Sequence, residues 1–532
     1  MAVTIRVRIA SIRSSGGDVV ALPDAGVTCI VGGNNVGKSQ LLREIHARLN
    51  NADASRITLD DLEILKPAVE HDQVVSFLDQ IAVRQAATPG SADSYQPITG
   101  GQSLTPTTFL TQYNASTDFL LSARDFFAWY ASAGSLTDFA SGGLGGAGMN
   151  PVAHPLMRLF RDGDLESQIS ELAHDAFGQS LTLDRINGDV RLRVGKPDVE
   201  VPPIDHPTVE YADAVSGLPT LEAQGDGIRS FLGLALAVVA GFTQMLLVDE
   251  PEAFLHPSQA RAIGRWLGEE AVKRDIQVIL ATHDRDLLLG LLDGAANATI
   301  NIVRITRVDD TNRLHQLPPD QVADVWADPV LRYSNVLQGL FHAVAVICEA
   351  DADCRFYGAV VDQIAVDTDR RARADNILMV PSGGKARIAA MAKSLARLGV
   401  DARAIVDFEV LRKRDDVINI VQAVGGTWTE QMQTNYVALT RVANEKSLWD
   451  QLKHQGIAGL PGGSSYVVCK QLLGDLCSLG MYIVPVGEME DFDKSIDLHG
   501  AAWVSAMLES GGHRTCLAAS QFLSQVLDPA LT

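Results

Sequence analysis

A glycine-rich run at residues 32–39 carries the strongest chemical signal of the chain. It reads Gly-Gly-Asn-Asn-Val-Gly-Lys-Ser, and it fits the pattern G-x-x-x-x-G-K-[ST] of phosphate-cradling loops. Glycines permit the tight turn in which successive backbone N–H groups point at phosphate oxygens. The residues expected to contact the ligand are Gly32, Asn34, Asn35, Gly37, Lys38 and Ser39. The run therefore predicts a site for ATP, with Lys38 on the β- and γ-phosphates and the Ser39 hydroxyl on Mg²⁺.

Two acidic residues follow an apolar run much further along the chain. Asp249 and Glu250 come directly after Met245–Val248. In phosphate-loop enzymes one such acid holds Mg²⁺ through its water shell, and the next orients or deprotonates the attacking water. We expect Asp249 to take the first role and Glu250 the second. His283 ends the next apolar run, where a side chain faces the ligand crevice of an α/β sheet, and we expect it to sense the γ-phosphate.

The elements around these residues suit phosphate chemistry. Residues 27–31 are apolar and β-branched, which predicts a buried strand, and apolar residues recur at helical spacing from Leu41 to Leu49. Strand, glycine loop and helix would place the phosphates at a helix N-terminus. Gly225 and Gly227 open a second predicted helix, and their exposed N–H groups would suit an anion. A plain helix cap explains these two glycines equally well.

The composition limits the class of protein. At 532 residues the chain is too long for a single hydrophobic core, so more than one domain is expected. A hydrophobic content of 46% is typical of an ordinary globular protein. The net charge of −21 argues against a surface coated for nonspecific nucleic-acid binding. The longest apolar run, residues 231–242, is too short for a bilayer. Six cysteines without a C-x-x-C pair and no apparent secretory signal lead us to expect a cytoplasmic protein with reduced thiols and no membrane partner.

Residues 249–257, Asp-Glu-Pro-Glu-Ala-Phe-Leu-His-Pro, together with the 32–39 run and Thr282-His283-Asp284, resemble the ABC-type ATPases of the OLD (overcoming lysogenization defect) family. The resemblance implies a nucleotide sandwiched between two ATPase heads, hence self-association as a dimer or a higher assembly. About 187 residues separate Lys38 from Gly225 (225 − 38), and a gap of that size predicts an inserted, partly helical lobe at about 51–180. Within and beyond it, residues 141–148 predict a flexible loop, and Asn187-Gly188 predicts a hairpin turn.

OLD proteins carry a Toprim domain after the ATPase, and the second half of the chain is similar to one. Glu349 and Asp353 match the opening pattern E-G-x-x-D, with Ala350 in place of glycine, while Asp407 and Glu409 match D-x-D with Glu in place of the second Asp. The resemblance implies ligands of Mg²⁺, or of Mn²⁺, at Glu349, Asp353, Asp407, Glu409, Glu488 and Glu490. Converging carboxylates suit metal-dependent phosphodiester cleavage.

The catalytic residues of this second site would be Glu349, Asp407 and Glu409, with Lys385 offsetting phosphate charge. The expected fold class is α/β: an ABC-type phosphate-loop ATPase head at 1–325 with its inserted lobe, then a Toprim-like α/β domain at 326–532. The expected function is an ATPase whose nucleotide state regulates a Mg-dependent DNA endonuclease in antiphage defence.

Two other functions stay open. In the first, the ATPase is a scaffold or sensor whose degenerate Toprim domain holds and releases a separate effector protein. The altered positions Ala350 and Glu409 and the acidic net charge favour it. In the second, the chain is a DNA-repair ATPase that responds to DNA ends without cleaving them.

Overall fold

The computed structural model describes residues 5–51, 53, 56–87, 92–140, 144–145, 154–203, 206–241, 243–294, 299–327, 335–368 and 376–527. The chain separates into two compact units, Met1–Asp324 and Val325–Thr532. In the described parts of both units, every helix is too short or too polar to cross a membrane.

A six-stranded sheet forms the centre of the first unit. The strands of this unit are β1 Arg8–Ser14, β2 Val19–Ala21, β3 Gly26–Val31, β4 Leu59–Leu65, β5 Ala82–Gln85, β6 Ser94–Pro97, β7 Ala128–Ser132, β8 Leu144–Gly145, β9 Leu181–Asp184, β10 Asp189–Val194, β11 Met245–Asp249, β12 Gln277–Ala281, β13 Ile300–Val308 and β14 Thr311–Leu317. The sheet order is β14-β13-β3-β12-β11-β7, and only the edge strand β14 runs antiparallel to its neighbour. All six residues of β3 are buried, as expected of a central parallel strand covered on both faces.

Helices cover this sheet and connect its strands. They are α1 Lys38–Asn50, α2 His71–Ile81, α3 Pro106–Tyr113, α4 Ala133–Ala140, α5 Pro155–Arg161, α6 Gly163–Phe177, α7 Val209–Ser216, α8 Asp226–Ala240, α9 Pro257–Lys273, α10 Arg285–Asp293 and α11 Pro319–Ala327. The predicted sequence of strand, glycine loop and helix is confirmed as β3, residues 32–37 and α1.

Three smaller antiparallel groups complete the first unit: β2-β1-β4, β8-β10-β9 and β5-β6. The hairpin predicted at Asn187-Gly188 is confirmed, because β9 and β10 pair on either side of it, with Arg191 opposite Asp184. Of the loop predicted at residues 141–148, only Leu144–Gly145 lies within the described residues, as β8.

The segment at about 51–180 is more than an insertion. Its strand β7 completes the six-stranded sheet beside β11, and its strand β4 pairs with β1. Part of the predicted lobe therefore belongs to the core of the ATPase unit, and β7 brings its own side chains to the strand that ends in Asp249.

The second unit contains a four-stranded parallel sheet. Its strands are β15 Val344–Cys348, β16 Ile377–Pro381, β17 Asp401–Val406 and β18 Met481–Ile483, in the order β16-β15-β17-β18. Its helices are α12 Asp351–Asp367, α13 Ile388–Arg397, α14 Arg414–Ala423, α15 Glu430–Glu445, α16 Trp449–Gln455, α17 Ser464–Ser478, α18 Gly500–Glu509, α19 Gly512–Thr515 and α20 Leu517–Leu527. This alternation of strands and helices confirms the predicted α/β class of the second half.

Candidate functional site

The glycine loop adopts backbone angles that side chains disfavour. Gly32 and Gly37 have φ values of 154° and 99°, and Asn35 lies in the left-handed region at 61°. A Cβ atom on Gly32 would lie 2.4 Å from the carbonyl oxygen of Ile305, and one on Gly37 would lie 2.8 Å from Thr58 Cγ2. These two glycines therefore let the loop turn tightly against its neighbours, and Gly37 caps the N-terminus of α1.

Lys38 folds back onto this loop. Its Nζ donates hydrogen bonds to the carbonyl oxygens of Gly32 at 3.0 Å and Gly33 at 2.8 Å. Burial lowers the pKa of Lys38, while the nearby carboxylates of Glu250, Glu252 and Asp249 act in the opposite direction. The ammonium group thus lies against the loop, and its contact with the phosphates of a nucleotide stays a prediction.

Asn312 supports the loop from the edge strand β14. Its side-chain Nδ2 donates to the backbone carbonyl oxygen of Val36 at 2.6 Å. The backbone carbonyl oxygen of Asn312 accepts from the N–H of Gly16 at 2.9 Å. Asn312 is almost fully buried. Sequence reasoning missed this residue, because nothing near position 312 signals that β14 would reach the loop.

The acidic pair and the histidine meet at the carboxyl ends of β11 and β12. Asp249 and Ala281 are paired at the ends of these strands, and the N–H of Glu250 donates to the carbonyl oxygen of Ala281 at 2.9 Å. His283 Nδ1 lies 3.3 Å from Glu250 Oε1. Glu250 itself has a φ of 51°. A glutamate with a left-handed backbone conformation is uncommon, and such residues cluster at functional sites.

A third carboxylate, Glu252, lies beneath this pair. Only 5% of its side chain is exposed, against 46% for Glu250. Its Oε1 accepts hydrogen bonds from Thr282 Oγ1 at 2.6 Å and from the N–H of His283 at 3.2 Å. Burial raises the pKa of Glu252 to about 7, although these hydrogen bonds oppose the shift. Sequence reasoning missed Glu252. Its position two residues after Glu250 was the feature of the sequence that could have indicated it.

Gly225 and Gly227 lie where the sequence predicted them, at the start of α8. Gly225 is the N-cap residue, and a Cβ atom on Gly227 would lie 2.7 Å from the carbonyl oxygen of Phe254. The start of α8 thus packs closely against the turn that follows Glu250. This packing explains Gly227 without a ligand, and contact with a nucleotide stays a prediction for both glycines.

The residues of this first site fit ATP with Mg²⁺. Asp249 Oδ1 is buried, and it has no hydrogen-bond partner among the residues that the structure describes. An unpartnered carboxylate oxygen beside a glycine loop and a lysine suits a hydrated divalent cation. Ser39 and Asp249 would hold the cation, and the loop with Lys38 would hold the phosphates. The bound cation would neutralise charge on the phosphate oxygens.

The second unit gathers carboxylates at the ends of its parallel strands. Glu349 follows β15, Asp407 follows β17, and the N–H of Asp407 donates to Glu349 Oε1 at 3.4 Å. Burial and then the charges of Glu349, Asp353, Glu488 and Glu490 raise the pKa of Asp407 to about 9. Four of the six predicted acids therefore act electrostatically on a fifth, Asp407.

The pKa values of the two neighbouring acids shift in the same direction. Burial raises the pKa of Glu349, with Asp353 adding to the effect, and burial likewise raises the pKa of Asp353. Mutual repulsion of buried carboxylates is the condition that a divalent cation relieves. The donor set consists of hard oxygen ligands and fits Mg²⁺ or Mn²⁺.

Glu409 does not join these acids. It forms an ion pair with Lys385, and that hydrogen bond lowers the pKa of Glu409. The chain forms a short 3₁₀ helix at Phe408–Arg412 directly after Asp407, and Glu409 lies in the first turn of that helix. Lys385 is thus the partner of Glu409 in this arrangement, and the role of Glu409 as a metal ligand stays a prediction.

The altered position Ala350 has no conformational cost. Its φ of −133° and ψ of 168° are extended, so glycine is not required there. Its N–H donates to Asp353 Oδ2 at 2.8 Å, which fixes the carboxylate of Asp353 at the start of α12.

Among the described residues, one triad of possible ligand groups lies within 4.8 Å of one another: His454, Glu488 and Asp491. Glu488 was predicted, whereas His454 and Asp491 were missed. Two lysines compensate this triad, since Lys453 lies 3.5 Å from Glu488 and Lys494 lies 3.4 Å from Asp491. Among the described residues, the other predicted ligands form no group of three within this distance. Glu490 accepts from the N–H of Gly500 at 2.7 Å.

Part of the first unit matches a known protein family. Residues 140–290 match the family described as "AAA domain, putative AbiEii toxin, Type IV TA system", a range that contains Asp249, Glu250 and His283. An uncharacterised protein, MJECL11 of Methanocaldococcus jannaschii, is 34% identical over 76 residues, which are 14% of this chain and 67% of that protein. The phosphonates import ATP-binding protein PhnC 2 of Synechococcus sp. is 40% identical over 73 residues, 14% of this chain and 23% of that protein.

A solved structure with a similar arrangement is the SMC head domain from Thermotoga maritima. It is 13% identical and covers 59% of this chain and 98% of its own, with a TM-score of 0.29, a value too low to carry weight. The family match and the site geometry together support a conclusion about the fold and the domain type of the first unit. The chain contains an ABC-like phosphate-loop ATPase domain of the AAA type, and over the aligned 76 residues it belongs to the same family as the Methanocaldococcus protein.

Proposed function

We propose that the nucleotide state of this ATPase regulates a Mg-dependent or Mn-dependent endonuclease centre of Toprim type in the second unit, which acts on DNA. The observation that carries the proposal is the group of partly buried carboxylates around Asp407, whose pKa is raised to about 9 by burial and by its acidic neighbours. Divalent cations bound by such carboxylates stabilise both the attacking and the leaving oxygen of a phosphodiester. Glu349 would act as the general acid or base, or as a ligand.

The test is cleavage of DNA by the purified full chain with Mg²⁺ or Mn²⁺, with and without ATP. Glu349→Ala and Asp407→Ala should each abolish cleavage and leave ATP binding intact, because both residues lie in the second unit. Lys38→Ala should remove the dependence of cleavage on ATP. Cleavage by both acid variants at the rate of the unmodified protein would overturn the proposal.

Self-association through the ATPase domain is part of this proposal. Glu250 and His283 have side chains that are 46% and 52% exposed, so a second copy has access to them. Sedimentation of a Glu250→Gln variant with ATP tests the point, because slowed hydrolysis should accumulate the dimer or higher assembly. A monomer with ATP bound would exclude a shared site.

The proposed role in antiphage defence rests on the resemblance to the OLD family. Expression of the chain with its neighbouring genes should lower the plating of phage, and Lys38→Ala should restore it. Unchanged plating by a panel of unrelated phages would remove this part of the proposal without affecting the nuclease assay.

A second candidate function has its own observation. Glu409 is held by Lys385 and Glu488 lies 3.5 Å from Lys453, so lysines neutralise part of the predicted metal set. This favours an ATPase scaffold whose second unit holds an effector protein. Purification from the native host should then yield a second protein that ATP turnover releases, and a single-component nuclease would count against the scaffold.

A further inference from the structure

Tyr130 reaches the first site from the strand next to Asp249. Strands β7 and β11 pair in parallel, with Tyr130 opposite Leu247 and Ser132 opposite Asp249. The hydroxyl group of Tyr130 donates a hydrogen bond to Asp249 Oδ2 at 3.0 Å. These two residues are 119 positions apart, and only the sheet order brings them together.

The two oxygens of Asp249 have different surroundings. Oδ2 is held by Tyr130, whereas Oδ1 is buried and has no partner among the described residues. A carboxylate rotates readily about its last side-chain bond unless a partner fixes it. The tyrosine hydroxyl therefore fixes the orientation of the carboxylate, so that one oxygen is held and the other is left for a hydrated cation.

Tyr130 is itself held in place. Arg43 Nε, on α1 after the glycine loop, donates to the Tyr130 hydroxyl at 3.5 Å, and the Tyr130 ring packs against His46 with ring centroids 6.0 Å apart. A hydroxyl group can accept one hydrogen bond and donate another. A chain of contacts thus runs from the helix that follows the phosphate loop, through Tyr130, to the acid that ends β11.

We propose that Tyr130 is a positioning residue, which orients Asp249 so that Oδ1 meets the hydrated Mg²⁺ of bound ATP. It touches neither the nucleotide nor the metal in this role; it acts through Asp249. The inference rests on the ATPase site and is independent of the nuclease proposed for the second unit.

The Tyr130→Phe variant tests this role, because it keeps the ring and removes only the hydroxyl group. The measurement is binding of a fluorescent ATP analogue across a Mg²⁺ titration, and again in EDTA. We expect the Mg²⁺ concentration for half-maximal binding to rise about three- to ten-fold, the scale of one lost hydrogen bond. Binding in EDTA should stay unchanged. Tyr113→Phe is the matched control, since it removes a hydroxyl that donates to the carbonyl oxygen of Pro67 at 2.9 Å, and it should shift neither value.

Two results would overturn the inference. One is an unchanged Mg²⁺ dependence in Tyr130→Phe; the other is an equal loss of binding with and without Mg²⁺, which would indicate a purely structural role. A double-mutant cycle with Asp249→Asn is the second test. In an Asp249→Asn background the Tyr130→Phe change should have no further effect on Mg²⁺ dependence, and an additive effect would contradict the proposal.

Discussion

Glu252 Oε1 lies 3.4 Å from the Nδ1 atom of His283 and accepts a hydrogen bond from the backbone N–H of the same residue. One buried carboxylate therefore contacts the histidine through both its ring and its backbone. Because Glu252 also accepts from Thr282 Oγ1, it joins the turn after β11 to the end of β12. The position of His283 relative to Glu250 depends on this link.

The first prediction concerns the pH dependence of stability at Glu252. Burial raises its pKa in the folded protein to about 7, above the unfolded value near 4.5. The folded state then binds more protons than the unfolded state between these values, so stability falls as pH rises from 4.5 to 7, by up to about 3 kcal/mol. Glu252→Gln removes this loss. Thermal unfolding should show the variant gaining on the unmodified protein as pH rises from 5 to 8.

Glu44→Gln is the control for this experiment. Burial opposes ionisation of Glu44, but hydrogen bonds from Gln40 and from the backbone of residues 57–59 outweigh it and lower the pKa. Its contribution is present above the unfolded pKa and is lost only as pH falls through the folded value. The difference between Glu44→Gln and the unmodified protein should therefore be flat from pH 5 to 8. A flat profile for Glu252→Gln as well would contradict the first prediction.

The second prediction concerns the glycine loop. Gly37→Ala should weaken ATP binding by about ten-fold or more, because alanine is strained at a φ of 99° and its Cβ would lie 2.8 Å from Thr58 Cγ2. Gly17→Ala is the matched control: its φ is 90°, but no atom lies within 4 Å of the added Cβ. Titration with a fluorescent ATP analogue measures both. Equal effects of the two variants would contradict this prediction, because Gly17 lies between β1 and β2 and outside the glycine loop.

The third prediction concerns the charge of Asp407 without metal. The raised pKa means that the folded state disfavours its ionised form, so the loss of stability grows as pH rises above the unfolded value near 3.8. At pH 8 in EDTA, Asp407→Asn should raise the free energy of unfolding by at least about 1 kcal/mol. Added Mg²⁺ should stabilise the unmodified protein and not the variant. Differential scanning calorimetry measures both effects.

Asp351→Asn serves as the control, because Asp351 is an exposed acid at the start of α12 that pairs with Arg355. We expect a change of less than about 0.5 kcal/mol there. A loss of stability in Asp407→Asn under EDTA would mean that the Asp407 carboxylate is well accommodated, and it would remove the electrostatic argument for a metal at this site.

Local sequence patterns predicted the strand, loop and helix of the first site. Tyr130 and Asn312, which these patterns missed, are brought to the site by strand pairing between distant parts of the chain. Strand, glycine loop and helix are adjacent in sequence, so residues 26–50 were predictable from periodicity and glycine spacing. Strand β7 lay inside a segment expected to be an insertion, and its pairing with β11 is a property of sheet order. Tyr130 and Asn312 therefore had no signal near their own positions.

At the second site, too, the sequence predicted some residue positions and missed a local turn of the backbone. Strand ends predicted the positions of Glu349 and Asp407, because the carboxyl ends of parallel strands meet at one edge of a sheet. The D-x-D pattern after the strand predicted Glu409 as a metal ligand beside Asp407. Instead the backbone turns into the 3₁₀ helix at Phe408–Arg412, and Glu409 meets Lys385.

The fourth prediction follows from that pairing and ranks two acids that the D-x-D pattern treats alike. Glu409 is neutralised by Lys385 and its side chain is 35% exposed, whereas Asp407 is partly buried and has carboxylates as its charged neighbours. In a DNA-cleavage assay with Mn²⁺, Asp407→Asn should slow cleavage by about 100-fold or more, while Glu409→Gln should slow it by less than about ten-fold. In a double-mutant cycle, Lys385→Met should add little to Glu409→Gln, because the first change already breaks the shared ion pair. Equal losses from Glu409→Gln and Asp407→Asn would mean that Glu409 leaves Lys385 and binds the metal during cleavage, as the D-x-D pattern predicts.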